Sequence, residues 1–365
     1  MSTDRSAPAA TASAFHIPSL DGIRACAFLL VFLGHAGVPG IPAGFGVTVF
    51  FFLSGYLITT LLRMEVKKRG GIDFKLFYLR RTLRILPPFY LVLGLGALVS
   101  ITHLLPSELQ LLPLLSQAFH YSNYWGALRG FDGIVPGTAV YWSLAVEEHF
   151  YALFPALYAL LLAAKLSGRA QRTVFLTICL AVLVWRCVLV FGFHVPSPRT
   201  FLCTDTRLDA LLMGCALAVA GNPVLDEPAL DSPPKRLVLA LCGSIVLLLL
   251  SFTIRDDQFR ETLRYTMQGI ALYPVFYAAV RFPKWGVFPL LNGRVLGFIG
   301  KLSYSLYLVH ATLLLLLEHW FESTVGPYPR AILGFALSLG LAWTIWTTIE
   351  KPAARLRKKL ERAGG

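Results

Sequence analysis

Apolar residues gather over 23–38, 45–62, 85–102, 174–193 and 237–254, and further apolar runs begin near Val140, Leu208, Met267, Leu302 and Ala331. Such runs are long enough to cross the hydrocarbon core of a bilayer as helices. The pattern predicts an all-α chain, a polytopic membrane bundle of about ten transmembrane helices. The run after Leu208 is short and the one after Met267 is Tyr-rich, so these two are the weakest spans. Between His103 and Ala139 lies the longest connection, where Pro106, Pro113, Pro136, Gly130 and Gly133 predict short interfacial helices rather than a span. No connection is long enough for a separate domain of ~50 residues, so residues 17–352 form one unit in which any chemistry must occur.

Composition supports the bilayer as solvent. Hydrophobic residues make up 56% of the 365 positions and charged residues 15%, at a mean hydropathy of +0.64, whereas soluble domains carry about 25% charged residues. A net charge of +13 would suit nucleic acid, but the basic residues concentrate in the connections of one side. Arg63, Lys67, Lys68, Arg69, Lys75, Arg80, Arg81 and Arg84 form the densest group. The positive-inside rule then puts both N- and C-termini in the cytoplasm and excludes nucleic acid as partner. The expected location is the bacterial inner membrane, multi-pass. Residues 1–16, rich in Ala, Ser and Thr, read as a disordered cytoplasmic tail rather than a signal peptide, and residues 353–365 as a basic cytoplasmic tail. The six cysteines lie in or beside apolar runs without metal-ligand spacing, so they read as small core residues, with no metal or disulfide expected. The pattern specifies no oligomeric state.

Ionisable groups in hydrocarbon cost about 2.5–3.5 kcal/mol or more, so each needs a partner or a task. Arg24 and His35 in the first run fall on one helix face, roughly 16 Å apart, and are expected to line one groove. Asp21 lies one turn before Arg24 and can pair with it. A snorkelling anchor for Arg24 and an interhelical hydrogen bond for His35 are the plainer readings. In "YWSLAVEEHFY", Ser143, Glu147 and Tyr151 share a face, and at least one of Glu147 and Glu148 must turn into the bundle. "TRLDALLMG" sets Arg207 and Asp209 near the start of a helix, where carboxylates are favoured anyway. "SYSLYLVH" puts Ser303, Tyr307 and His310 on one stripe.

Read in order from Leu20 to Pro352, "LDGIRACAFLLVFLGH", "GVTVFFFLSGYLIT", "FYLRRTLRILPPFY", "YWSLAVEEHFY", "TRLDALLMG", "SYSLYLVH" and "IEKP" make the chain resemble the integral-membrane acyltransferase-3 family. That family includes O-acetyltransferases of O-antigen, exopolysaccharides, Nod factors and peptidoglycan, and macrolide acyltransferases. The resemblance implies that Arg24 and His35 are an essential pair, that Glu147 belongs to the active centre, and that acyl-CoA, with acetyl-CoA the expected form, is the donor substrate, no cofactor being permanently bound. The esterase-like domain of fused members has no counterpart in these residues, which favours direct transfer within the bundle.

Chemistry assigns provisional roles. Arg80, Arg81 and Arg84 can bind the phosphates of the donor, although topology alone would also place cations there. Acylating a hydroxyl requires a base matched to neutral pH, which His35 provides; Glu147 is expected to hydrogen-bond its other ring nitrogen, and Arg24 to hold the donor arm. Ser143, Tyr307, His310, Arg207 and Asp209 are candidate substrate contacts. Trp142, Tyr124 and Trp125 offer rings for a carbohydrate acceptor, lipid-linked or free, though interfacial aromatics usually anchor the membrane. A small hydrophobic acceptor such as a macrolide is the alternative within the same chemistry. A transporter or flippase of lipid-linked glycan is the alternative outside it, and it would have no use for coenzyme A.

Overall fold

The computed structural model describes residues 17–226, 230, 232–322 and 324–363; the tail expected over residues 1–16 lies outside them. Every regular element among the described residues is helical. The long helices are α1 (Pro18–His35), α2 (Ala43–Arg69) and α3 (Phe74–Ile101), then, after short α4 (Leu111–Ala118) and α5 (Ser122–Arg129), α6 (Trp142–Ala163) and α7 (Gly168–Cys187). Short α8 (Ser197–Leu202) precedes α9 (Thr204–Val219) and α10 (Lys235–Thr253). The one-turn α11 (Asp257–Glu261) leads to α12 (Leu263–Arg281), and α13 (Phe288–Leu291) to α14 (Arg294–Phe321), α15 (Pro327–Ile345) and α16 (Lys351–Ala363).

Seven helices among the described residues are long and apolar enough to cross a membrane. Helices also occupy the other three positions read from the sequence, but α1 carries Asp21 and Arg24, α9 has only 16 residues, and α12 is less apolar. Their surroundings explain this: α9 is buried along almost its whole length from Thr206 to Val219 and meets α2, α6, α7 and α12 instead of lipid. Conversely, Leu239, Ile245 and Leu249 on α10 and Leu180 and Val184 on α7 are exposed, forming the apolar exterior that a bilayer would cover. Of the cysteines expected in the core, Cys179, Cys203 and Cys215 are buried, whereas Cys242 lies on that exterior.

Local chemistry sets the helix ends. α2 stops at Gly70, whose φ of 79° is left-handed and free of a Cβ penalty. Asp73 then caps α3, its carboxylate accepting from Leu76 N at 2.9 Å. For this reason α3 begins at Phe74 rather than Ile85, and Arg80, Arg81 and Arg84 stand on a continuous helix that runs through Pro87 and Pro88. The connection from 103 to 139 contains short helices, as expected, namely α4 and α5.

Packing at the centre depends on missing side chains. A Cβ at Gly55 of α2 would lie 1.8 Å from Leu211 O of α9, and one at Gly214 of α9 would lie 2.1 Å from Phe52 O of α2. Small residues allow such close backbone approach where no water is present to drive association. Gly214→Ala is expected to destabilise the protein by about 1–3 kcal/mol, whereas Gly243→Ala, which meets nothing within 4 Å, should leave stability unchanged or slightly raised. Thermal unfolding of both variants in one detergent checks this.

Candidate active site

Two cavities lie along α1, one near each end. The first, here the arginine cavity, is lined by Arg24 of α1, Arg81 and Arg84 of α3, Glu147, Glu148 and Tyr151 of α6, and Ser303 and Tyr307 of α14, with Ser54 of α2 and Ser143 of α6. The shared face of Ser143, Glu147 and Tyr151 predicted from their spacing is thus turned inward, and both glutamates reach the cavity wall. Arg24 pairs with Asp21 at 2.7 Å, one turn away as expected. The Ser54 hydroxyl donates to Glu147 Oε1 at 2.6 Å and accepts from the Tyr151 hydroxyl at 3.2 Å. Ser54 does not stand out in the sequence, because the same run also carries the hydroxyls of Thr48, Thr59 and Thr60. The Arg81 guanidinium stands 5.8 Å over the Tyr151 ring, and its buried Nε has no hydrogen-bond partner. Arg80 turns away from the cavity and pairs with Glu65 of α2.

The second, the histidine cavity, is lined by His35, Val140, Trp142, Phe201 and Phe131, with Ser197 at its edge. His35 Nδ1 lies 3.0 Å from His310 Nε2, and the rings stack with centroids 5.2 Å apart. His310 is fully buried on α14, its Nδ1 2.8 Å from Tyr307 O. A carbonyl only accepts, so with both rings neutral His310 Nδ1 carries a proton and His310 Nε2 does not. His35 Nδ1 must then donate, and the lone pair of His35 falls on Nε2. The bonding fixes this tautomer in the manner required of a base. The fixing partner is therefore His310, not the Glu147 carboxylate expected from the sequence, because Ser54 holds Glu147 in the other cavity.

Arg24 and His35 share a face of α1 but not a groove. Between their cavities runs the start of α6, where Trp142 faces one cavity and Ser143 the other. Tyr307 joins this wall, its hydroxyl accepting from Ser143 Oγ at 2.6 Å and donating to Val140 O at 2.9 Å.

Arg207 and Asp209 reach neither cavity. Asp209 is fully buried and pairs with Arg186 of α7 at 2.8 Å, with Thr266 donating to the same carboxylate at 2.9 Å. Arg207, equally buried, lies 3.9 Å from the Tyr265 ring centroid and also faces the Trp142 and Phe201 rings; it donates to Thr48 Oγ1 at 3.2 Å. It thus backs two of the rings that wall the histidine cavity, Trp142 and Phe201. Of the aromatics proposed for an acceptor, Trp142 lines that cavity, whereas Tyr124 and Trp125 do not. The Tyr124 hydroxyl donates to Asp205 at 3.0 Å, and burial together with that carboxylate pushes the phenol up to about 12.

A family model described as an acyltransferase domain matches residues 17–347. The chain belongs to the acyltransferase-3 family. It is 30% identical over 348 residues to the peptidoglycan O-acetyltransferase OatA of Listeria monocytogenes, covering 92% of this chain and 56% of that protein. It is 29% identical over 359 residues to the O-acetyltransferase OatA of Staphylococcus aureus (strain NCTC 8325 / PS 47), covering 94% and 58%. The chain therefore spans less than two thirds of the length of these relatives. No solved structure matches it.

Breaking the Arg186–Asp209 pair leaves a guanidinium buried without its counter-charge. Asp209→Ala is expected to cost about 3–5 kcal/mol, read as a lowered unfolding midpoint of the purified protein.

Proposed function

We propose that this acyltransferase-3 protein is a membrane O-acyltransferase that moves an acetyl group from cytoplasmic acetyl-CoA to a hydroxyl of a carbohydrate acceptor. The observation that carries the reading is the His35–His310 pair, a base with a fixed tautomer at a cavity walled by aromatic rings, on the same helix that presents Arg24 to a cation-rich cavity. The reading uses ten spans, with both termini on the cytoplasmic side of the bacterial inner membrane and the arginine cavity opening there.

Acyl-CoA suits the arginine cavity because the donor brings phosphate charge, which the guanidinium groups of Arg81 and Arg84 match. The thioester arm extends past Arg24 toward the wall of Ser143 and Tyr307. On the other side, Trp142, Phe201 and Phe131 present apolar faces against which a sugar ring can pack. As the acceptor oxygen attacks the thioester carbonyl, its proton passes to His35 Nε2 and the carbon–sulfur bond breaks. The thiolate then takes up a proton, regenerating His35, and the products are the O-ester and free coenzyme A. Proton transfer of this kind contributes about 10²–10⁴-fold to rate. The relatives, which include a peptidoglycan O-acetyltransferase, support a glycan as acceptor.

His35→Ala should insert in the membrane normally and lose acetyl transfer from labelled acetyl-CoA in reconstituted vesicles; retained transfer rejects His35 as base. His310→Phe, which removes the acceptor for His35 Nδ1–H, should lower turnover by about 10²-fold with little change in the acetyl-CoA concentration needed. Mass spectrometry of envelope glycans from cells with and without the gene identifies the acceptor by the acetyl group that disappears.

A further inference from the structure

Beyond α15 the chain passes through a π-helical turn, Trp346–Glu350, and continues as α16. Two contacts set its direction: Ser305 of α14 donates to Glu350, and Lys351 Nζ lies 3.8 Å over the Trp346 ring. α16 then packs against α3, on the side that carries Arg80, Arg81 and Arg84. Arg357 comes within electrostatic reach of Arg80 and Arg84, and Arg81 feels the charge of all three. Four guanidinium groups from two helices are thereby held together.

Carboxylates meet this charge, Glu147, Glu148 and Glu350 lying within electrostatic reach of Arg81 or Arg84, but they leave hydrogen-bonding capacity of the guanidinium groups unused. Arg80 has Glu65, and Arg357 has Glu361 at 3.7 Å, beyond hydrogen-bond range. Buried Nε atoms of both Arg81 and Arg357 have no hydrogen-bond partner. Like charges in a partly desolvated setting repel more strongly than in water, and unmatched N–H groups add a further cost. Both costs fall when a multiply charged anion sits among the arginines, and phosphate oxygens match the guanidinium fork.

We propose that Arg357 is a donor-binding residue that grips a phosphate group of the thioester donor at the mouth of the arginine cavity. The inference rests on the acyl-CoA reading above. Arg81 and Arg84 line the cavity itself, whereas Arg80 and Arg357 stand outside the lining and form a second tier. Coenzyme A separates its pyrophosphate from its ribose phosphate, so one donor can engage both tiers at once.

The test is binding of coenzyme A, and of pantetheine, which has no phosphate, to the full chain in discs of zwitterionic lipid, followed by intrinsic tryptophan fluorescence. Arg357→Gln is expected to weaken coenzyme A about tenfold, the loss of one charge-assisted hydrogen bond, and Arg357→Lys less, while pantetheine binds all three proteins alike. Unchanged affinity of Arg357→Gln for coenzyme A overturns the assignment. Equal weakening of pantetheine overturns it as well, showing that α16 merely supports the fold. A difference seen only in discs containing anionic lipid assigns Arg357 to a lipid headgroup instead. Failure of the unaltered protein to bind coenzyme A removes the acyl-CoA reading itself.

Discussion

Charge inside hydrocarbon has to be matched by the protein around it, and in this bundle the matching is centred on α9. Asp209 meets Arg186 with both side chains fully enclosed, and Arg207 is taken up by aromatic faces. A helix carrying such groups could not face lipid, so α9 sits amid α2, α6, α7 and α12. Its backbone then meets α2 so closely that residues 55 and 214 have no room for side chains. Ser54 stands beside one of these contacts, and through it the position of Glu147 depends on the central packing.

The α1 helix is fixed in a similar way. A Cβ at Gly300 of α14 would lie 1.9 Å from Asp21 O, and one at Gly22 would lie 2.1 Å from Leu291 O. These contacts lock one end of α1 against the segment around α13 and α14, and the histidine pair joins the other end to α14. Arg24 and His35 are therefore held by one rigid rod while serving different cavities. On the proposed reading, the wall between them, built from the start of α6 and from Tyr307, is the region that a transferring acyl group has to traverse.

Much of this was legible from the sequence because it depends on short-range periodicity. Hydrophobic runs marked the helices, the spacing of Asp21 and Arg24 gave their ion pair, and the turn-by-turn repeat of Ser143, Glu147 and Tyr151 gave the face that lines a cavity. What pairs across the bundle was not legible. His35 and His310 are 275 residues apart, and no local pattern distinguishes an imidazole from a carboxylate as the distant partner. The same holds for Arg80, whose neighbour Glu65 is brought near by the turn between α2 and α3. Arg207 and Asp209 looked like ligand contacts because charge in a span draws attention; in the structure the charge is absorbed by Arg186, Thr266 and rings from other helices.

The pairing of His35 with His310 has a consequence for biogenesis. A nascent chain that has inserted its first helices already carries Arg24, His35 and Glu147, but the second imidazole is still to be synthesised. Until α14 arrives, the first histidine lacks the imidazole that fixes its tautomer. On the proposed reading, ester-forming competence would then appear only once α14 has packed against α1.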